Sequence, residues 1–328
     1  MPQPTKHDVH VNRLLTNIST AYMQDIGEFI ADRVFPIVPV DKQSDLYPVY
    51  NKNDFFRSDA VTERVDGRES SGSGYRVSTD SYMCHTYATH KDIGPQAVAN
   101  ADSPFNLDRD ATIFTTHQML LRRENLFMDT YFQAGVWGRD MTGVAAGPGP
   151  DEFIQFDDFA DSNPRRVIRD ACLTVKSQTG YRPNTMVVSE RIYEVMLEHP
   201  DLIDLFKYTR EGLLTSEQLG RIFDIPRIFV TGAVEATNVE GAAEAYDFVA
   251  PDTMWIGYVA PRPSIMMPSA GYTFAWRGLL GANAYGGRIV RIPTPLLGIN
   301  SYRVENEMSF DHKVVGADLG VLFSNVLS

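Results

Sequence analysis

Between residues 107 and 132, apolar side chains recur in two rows seven positions apart. Phe114, Leu121 and Met128 form one row, and Ile113, Leu120 and Phe127 the other. This spacing predicts a helix buried along one stripe, a rod of about 39 Å at ~1.5 Å per residue. That is about twice the usual helix length. Upstream, short helical patterns occupy residues 9–18 (Val11, Leu14, Leu15) and 25–34 (Ile26, Phe29, Ile30, Val34). Pro36 stops the second, and Pro39 keeps the following residues extended. Strand-like segments at 46–50 and 75–88 flank a polar stretch ending in ESSGSG at 69–74. A period of two in the second segment places Tyr82, Cys84, Thr86 and Ala88 on one face and Met83, His85 and Tyr87 on the other. Seven charges of both signs precede the glycines: Arg57, Asp59, Glu63, Arg64, Asp66, Arg68 and Glu69. An isolated hairpin is only marginally stable. The excursion therefore folds back on its own chain or is held by a neighbouring subunit, and the seven charges are candidate intersubunit contacts.

Downstream of the long helix, residues 135–164 predict an irregular connection with GPGP at 147–150. Residues 151–161 hold five acidic side chains and no basic one, without calcium-loop spacing, and are expected as a solvated loop. An α/β pattern follows over 164–260. Asn163 as N-cap, Pro164 at the first helical position and Gly180 past the end bound a helix carrying Val167, Ile168, Ala171, Cys172 and Val175. A short strand at 185–188 precedes a helix at 190–198 capped by Ser189, and Thr215 with Gln218 makes a capping box before 219–223. Buried strands are expected at 227–230 and 254–259, and from Tyr272 onward the chain reads as strands and turns.

Composition narrows the function. The 328 residues are 43% hydrophobic and 11% aromatic, which suits one elaborate domain or two unequal ones and excludes a disordered chain. No apolar run approaches the roughly 20 residues of a membrane span, and residues 1–10 lack the apolar core of a signal peptide. A soluble, unexported protein is expected. A net charge of −12 argues against a protein whose main task is gripping nucleic acid. Cys84 and Cys172 are expected as buried reduced thiols.

Candidate chemistry is sparse. Cys84 and His90 share a strand face while His85 points away, so the three do not form a tetrahedral metal set. The remaining histidines, at 7, 10, 117, 199 and 312, are scattered. Gly72, Ser73 and Gly74 lack the spacing of a nucleophile elbow, and there is no P-loop or dinucleotide-binding glycine pattern. The expectation is no catalytic centre, no metal and no cofactor.

In order, the chain is an apolar arm, a hairpin excursion, a spine helix, an α/β lobe and a β-rich return. That order resembles the major capsid proteins of tailed bacteriophages, the Hong Kong 97-like capsid fold of the α+β class. The phrases IADRVFPIVPV (30–40), HPDLIDLFKYTREGLLTSEQLGRIFDIPRIFVTGA (199–233), WIGYVAPRPSIMMPSAGYTFAW (255–276) and DHKVVGADLGVLFSNVLS (311–328) are similar to that family. The resemblance implies an N-terminal arm at 1–40 and an extended loop at 41–95. It implies a peripheral domain at 96–162 and 296–328 with its spine at 107–132, and an axial domain at 163–295. It further implies self-assembly through pentamers and hexamers into an icosahedral virion shell, built in the host cytoplasm around double-stranded DNA contacted non-specifically. An acidic inner surface would let that polymer slide. Scaffolding, portal and decoration proteins are implied partners, with any scaffold a separate protein, and no membrane is involved. Lys42 and Lys52 lie where some members form covalent cross-links, but no motif assigns either one. The alternatives are an encapsulin-type compartment of the same fold and, from another class, a soluble α/β hydrolytic enzyme.

Overall fold

The computed structural model describes residues 24–101, 106–205, 215–250, 252–264, 267–278, 282–283 and 285–328. The helical pattern at 9–18 lies outside them. The first half of the chain forms β1 (Ile37–Val40), β2 (Ser44–Tyr50), α1 (Lys52–Phe55), β3 (Val77–Met83), β4 (His85–Ile93), α2 (Pro95–Asn100) and α3 (Leu107–Tyr131). Then come β5 (Arg139–Val144), β6 (Glu152–Ile154), α4 (Pro164–Thr179), β7 (Thr185–Ser189), α5 (Glu190–Glu198), α6 (Pro200–Ile203) and α7 (Ser216–Phe223). The remainder is β8 (Arg227–Thr231), β9 (Val234–Ala236), β10 (Tyr246–Phe248), β11 (Met254–Gly257), β12 (Gly271–Trp276), β13 (Gly287–Pro293), β14 (Tyr302–Val314) and β15 (Gly320–Ser324).

Ahead of β1, the helix expected over 25–34 is replaced by one 3₁₀ turn, Ile26–Glu28. The backbone hydrogen bonds explain the difference. The amides of Ile30 and Ala31, which a helix would direct to carbonyls four residues back, donate instead to Glu124 Oε2 at 3.0 and 2.9 Å. Phe29, Ile30, Ala31, Val34 and Phe35 are buried, so this strap belongs to the core of its own chain.

β14 organises a five-stranded sheet. Its residues 302–310 pair with β4 on one edge, while on the other 302–308 pair with β13 and 310–314 with β12; β1 extends the sheet beside β12. The change of partner falls at Ser309, whose amide donates to the Gly286 carbonyl at 3.0 Å. Gly286 has φ 73°, and a Cβ there would lie 2.2 Å from the Ser309 oxygen, so only glycine fits.

The single strand expected over 75–88 is two. β3 and β4 meet at Cys84, and the burial phase shifts there. Tyr82 and Cys84 are buried before the break; Tyr87, Thr89, Lys91 and Ile93 turn inward after it. The cause is a change of partner, because β3 pairs with β2 and β4 with β14.

The spine helix is where the sequence predicts it. Asn106 caps it by accepting the Arg109 amide at 3.1 Å, and Asp108 and Asp110 complement the helix dipole in the first turn. Its buried face differs from the two predicted rows. Ala111, Thr115, Met119, Glu124, Phe127, Met128 and Tyr131 are buried, whereas Phe114 is 40% exposed and Ile113 is exposed too. Small residues at the N-terminal half let the helix lie close on the sheet, where Thr116 and Gln118 bond Asn306 and Thr89 at 3.3 and 3.2 Å. The Thr115 hydroxyl turns back to the Ala111 carbonyl at 2.9 Å, which makes its burial tolerable.

A second, six-stranded sheet has the order β6-β5-β15-β11-β7-β8. β7 and β11 are buried throughout, as central strands covered on both faces must be. Ile168, Cys172, Val175, Ile192, Met196, Leu219 and Phe223 bring α4, α5 and α7 onto it. Residues 151–161, expected as a solvated loop, supply edge strand β6 and the buried Phe153 and Phe156. β5, β6 and β15 join the α/β sheet, while β12 and β13 join the spine-helix sheet. Between the two lies a shared aromatic core, with Phe35 4.5 Å from Tyr131 and Trp137 5.1 Å from Trp255, ring centroid to centroid.

Candidate assembly surface

The hairpin excursion is rooted in the body and free at its tip. At the root, Tyr82 stacks on Phe274 at 4.6 Å, and Tyr47 packs on the same ring at 5.7 Å. The Tyr47 hydroxyl donates to Asp80 at 2.7 Å, and Lys313 approaches that carboxylate at 3.3 Å. The Tyr47 bond is the largest cause holding the Asp80 carboxyl below its ordinary range. Lys52 pairs with Asp318 of the body and Lys42 with Asp45 of its own ribbon.

Further out, Asp54 receives the Arg76 amide at 2.8 Å and its guanidinium at 3.2 Å, clamping the chain just below the tip. Tyr50, Phe55 and Tyr75 gather there with centroids 5.8–6.2 Å apart, and both Phe55 and Tyr75 remain largely exposed. Beyond the clamp regular structure ceases. Arg57, Asp59, Glu63, Arg64, Asp66, Arg68 and Glu69 are all exposed, and none forms an ion pair with another described residue. The internal ties of the tip are few, among them Arg64 Nε donating to the Arg68 carbonyl at 2.8 Å. The other side-chain ties join Thr62 to Ser71 and Ser71 to the Ala60 carbonyl, and none reaches the body.

The residues considered for metal binding stay apart in role. Cys84 is buried, with its thiol directed at the Phe274 carbonyl 3.6 Å away. Burial pushes that thiol up to about 12. His85 is exposed opposite Phe310, and His90 is exposed opposite Glu305 with its ring nitrogen 3.9 Å from Asp92. Among the described residues no group of three His, Cys, Asp or Glu side chains is placed to hold a metal.

One pair with apparent catalytic chemistry escaped the sequence. His199 Nε2 lies 2.9 Å from Ser162 Oγ, although the two are 37 positions apart. The hydrogen bonds show what this pair does. His199 Nδ1 accepts the Asp201 amide at 3.2 Å, so the proton of the neutral ring sits on Nε2 and is donated to the serine. Ser162 in turn donates to the Asp158 carbonyl at 2.5 Å. A base that already carries its proton on the nitrogen facing the hydroxyl cannot activate it. Both side chains are buried, burial holds the imidazole below its ordinary range, and the pair serves to fasten the start of α6 to the loop before α4.

No family model matches the sequence. The chain is 27% identical over 280 residues to the major capsid protein of Burkholderia phage BcepMu, covering 82% of this chain and 84% of that protein. It is 27% identical over 319 residues to the major capsid protein of Pseudomonas phage JBD67, covering 96% of each. A phage-related protein from Bordetella bronchiseptica shares the fold with a TM-score of 0.67 at 21% identity, over 93% of each chain. The capsid of Cyanophage P-SCSP1u does so at 0.62 and 10% identity, over 97% of this chain and 93% of the other. An encapsulin of Synechococcus elongatus follows at 0.56 and 12%, over 96% and 95%. These structural likenesses establish a mixed α+β capsid fold. Over most of its length the chain is thus similar in sequence to two phage major capsid proteins, and in fold to phage capsids.

Proposed function

We propose that this chain is the repeating subunit of an icosahedral shell, closing through pentamers and hexamers around a phage's double-stranded DNA. The observation that carries the reading furthest is the full-length kinship with the JBD67 major capsid protein, over 96% of both chains. The β2–β3 ribbon acts as the extended loop lying over a neighbouring subunit. Its charges at Arg57, Asp59, Glu63, Arg64, Asp66, Arg68 and Glu69 find opposite charges there; their lack of ion-pair partners among the described residues supports this role. α3 with the five-stranded sheet serves as the peripheral domain, and the six-stranded sheet with its helices as the axial domain around the symmetry axes. The net charge of −12 suits a shell that touches packaged DNA without gripping it. Scaffolding, portal and decoration proteins complete the particle, which assembles in the host cytoplasm.

Each exposed ion pair contributes about 0–1 kcal/mol, yet repetition over a closed shell multiplies the term. Replacing residues 57–74 by a short Gly-Ser turn should leave a soluble subunit with near-normal circular dichroism that forms no stable particle. High salt should weaken wild-type assembly in the same direction. Electron micrographs and size exclusion of wild type beside the deletion decide it. Intact shells from the deletion refute the intersubunit role, and a wild type that stays a small oligomer refutes the shell reading. The encapsulin alternative has the Synechococcus likeness in its favour, but both curated relatives are capsid proteins.

A further inference from the structure

The six-stranded sheet ends at β8, whose outer side pairs with no described strand. On its inner side the Arg227 amide donates to the Asn184 carbonyl at 3.3 Å, and the register sets Phe229 beside Val187 and Thr231 beside Ser189. In a parallel ladder alternate residues turn both backbone groups to the same neighbour. Arg227, Phe229 and Thr231 therefore face β7, while Ile228 and Val230 direct their N–H and C=O groups away from the sheet. No backbone hydrogen bond from a described residue reaches those groups. The side chains of Ile228 and Val230 pack into the core of the α/β sheet, so the strand is held in place with its edge open. Proline and lysine, the common guards of an open edge, are absent from β8.

A cleft of about 350 Å³ follows this edge, with Ile228, Phe229 and Val230 all in its wall. Successive side chains of a strand point to opposite faces, so three consecutive residues share one cleft only along the edge itself. The strap and α5 supply its charged walls, Glu28, Arg33 and Glu190. Arg33 is turned to the strap's own backbone, where it donates to the Gly27 and Phe29 carbonyls. The two carboxylates converge just past the end of β8. A Cβ added at Gly232 would lie 2.2 Å from a Glu28 oxygen and 3.7 Å from a Glu190 oxygen. Burial, and after it the charges of Glu28 and Glu194, raises the Glu190 carboxyl above its ordinary range. A cation brought between the two carboxylates would relieve that repulsion.

We propose that the free edge of β8 receives an extended basic segment of a partner protein, which adds a strand to the sheet and places a Lys or Arg between Glu28 and Glu190. Main-chain bonds to Ile228 and Val230 supply affinity, and the two carboxylates select the charge. The inference stands apart from the shell reading, and its test needs no particle. A fluorescein-labelled peptide of alternating Lys and Val is titrated into the purified full-length chain and followed by anisotropy. It should bind saturably, roughly tenfold or more tighter than a peptide of alternating Glu and Val. Methylating alternate backbone nitrogens of the peptide should weaken binding by a similar factor in one of the two phases, because only one phase faces β8. On adding the peptide, the Ile228 and Val230 amides should exchange with solvent roughly tenfold more slowly, while the Phe229 amide, already directed to β7, changes little. Glu28→Gln/Glu190→Gln should bind the Lys peptide roughly tenfold more weakly. Absence of saturable binding, equal affinity for the acidic peptide, tolerance of methylation in both phases, or unchanged exchange at Ile228 and Val230 overturns the inference. So does binding that appears only once residues 1–23 are deleted, since the cleft would then belong to the chain's own terminus.

Discussion

Glu124 ties three parts of the chain to one carboxylate, and its ionisation should be visible in stability. The side chain is 0% exposed, accepts the Ile30 and Ala31 amides, and receives the Thr231 hydroxyl at 3.4 Å. The nearest cation, Arg123, is engaged with Asp32 at 3.2 Å. Burial dominates and pushes the carboxyl up to about 7 from 4.5, with the amide bonds offsetting only part of it. The folded state thus holds a proton that the unfolded chain releases between pH 4.5 and 7. Stability from this group is complete below the lower value, falls as pH rises through the window, and levels off above the upper one. A difference of roughly 2.5 units at ~1.36 kcal/mol each amounts to about 3 kcal/mol. Glu124→Gln keeps an oxygen for both amides and removes the charge. At pH 8 the variant should therefore be more stable by up to about 3 kcal/mol, a melting rise of about 4 °C, and at pH 4.5 it should match wild type within about 0.5 kcal/mol. Thermal unfolding of unassembled subunits between pH 4.5 and 8 measures both. Parallel profiles for the two proteins, or a variant weaker at every pH, would refute the argument.

Phe127→Ala, at a fully buried ring, should cost about 3–5 kcal/mol and prevent folding at physiological temperature, whereas Phe114→Ala should shift melting by less than about 2 °C. Gly143→Ala places a Cβ 1.9 Å from the Asn325 carbonyl, so it should detach the C-terminal residues from β5 and lower the melting temperature by several degrees. Neither Cys84 nor Cys172 should react with maleimide in the native subunit at pH 7.5, because burial pushes their thiols up to about 12 and about 11; both should label fully in denaturant.

Local signals were legible where one segment contains all the groups that act. Asn163, Pro164 and Gly180 bound α4 as read, with the Asn163 side chain on the Arg166 amide at 2.9 Å and Gly180 at φ 78°. The Thr215–Gln218 capping box is formed. Reading failed where a distant partner decides. Two apolar rows on the spine helix ranked positions by hydrophobicity, but the sheet selects small side chains, so Ala111 and Thr115 go inside and Phe114 goes out beneath the Lys91 ammonium, 5.1 Å from its ring centre. The break at Cys84 has no local mark, because it arises from β14, more than 200 positions away. Glu124, one acid among many, gave no hint of burial, and the Ser162–His199 contact needed the fold to bring it together. The exposure of the loop charges, by contrast, follows from composition alone.

The junction at Cys84 also determines how the subunit carries load. β3 passes into β4 through that one residue, so tension on the hairpin tip runs straight into the strand that is zipped to β14 from His85 to Ile93. The hydrogen bonds of that antiparallel ladder lie across the strands. A pull along β4 therefore loads nine paired positions together in shear, where a pull across it would peel them one at a time. With its tip held by a neighbouring subunit, as proposed above, the hairpin would meet a pull along β4 in that mechanically stronger direction.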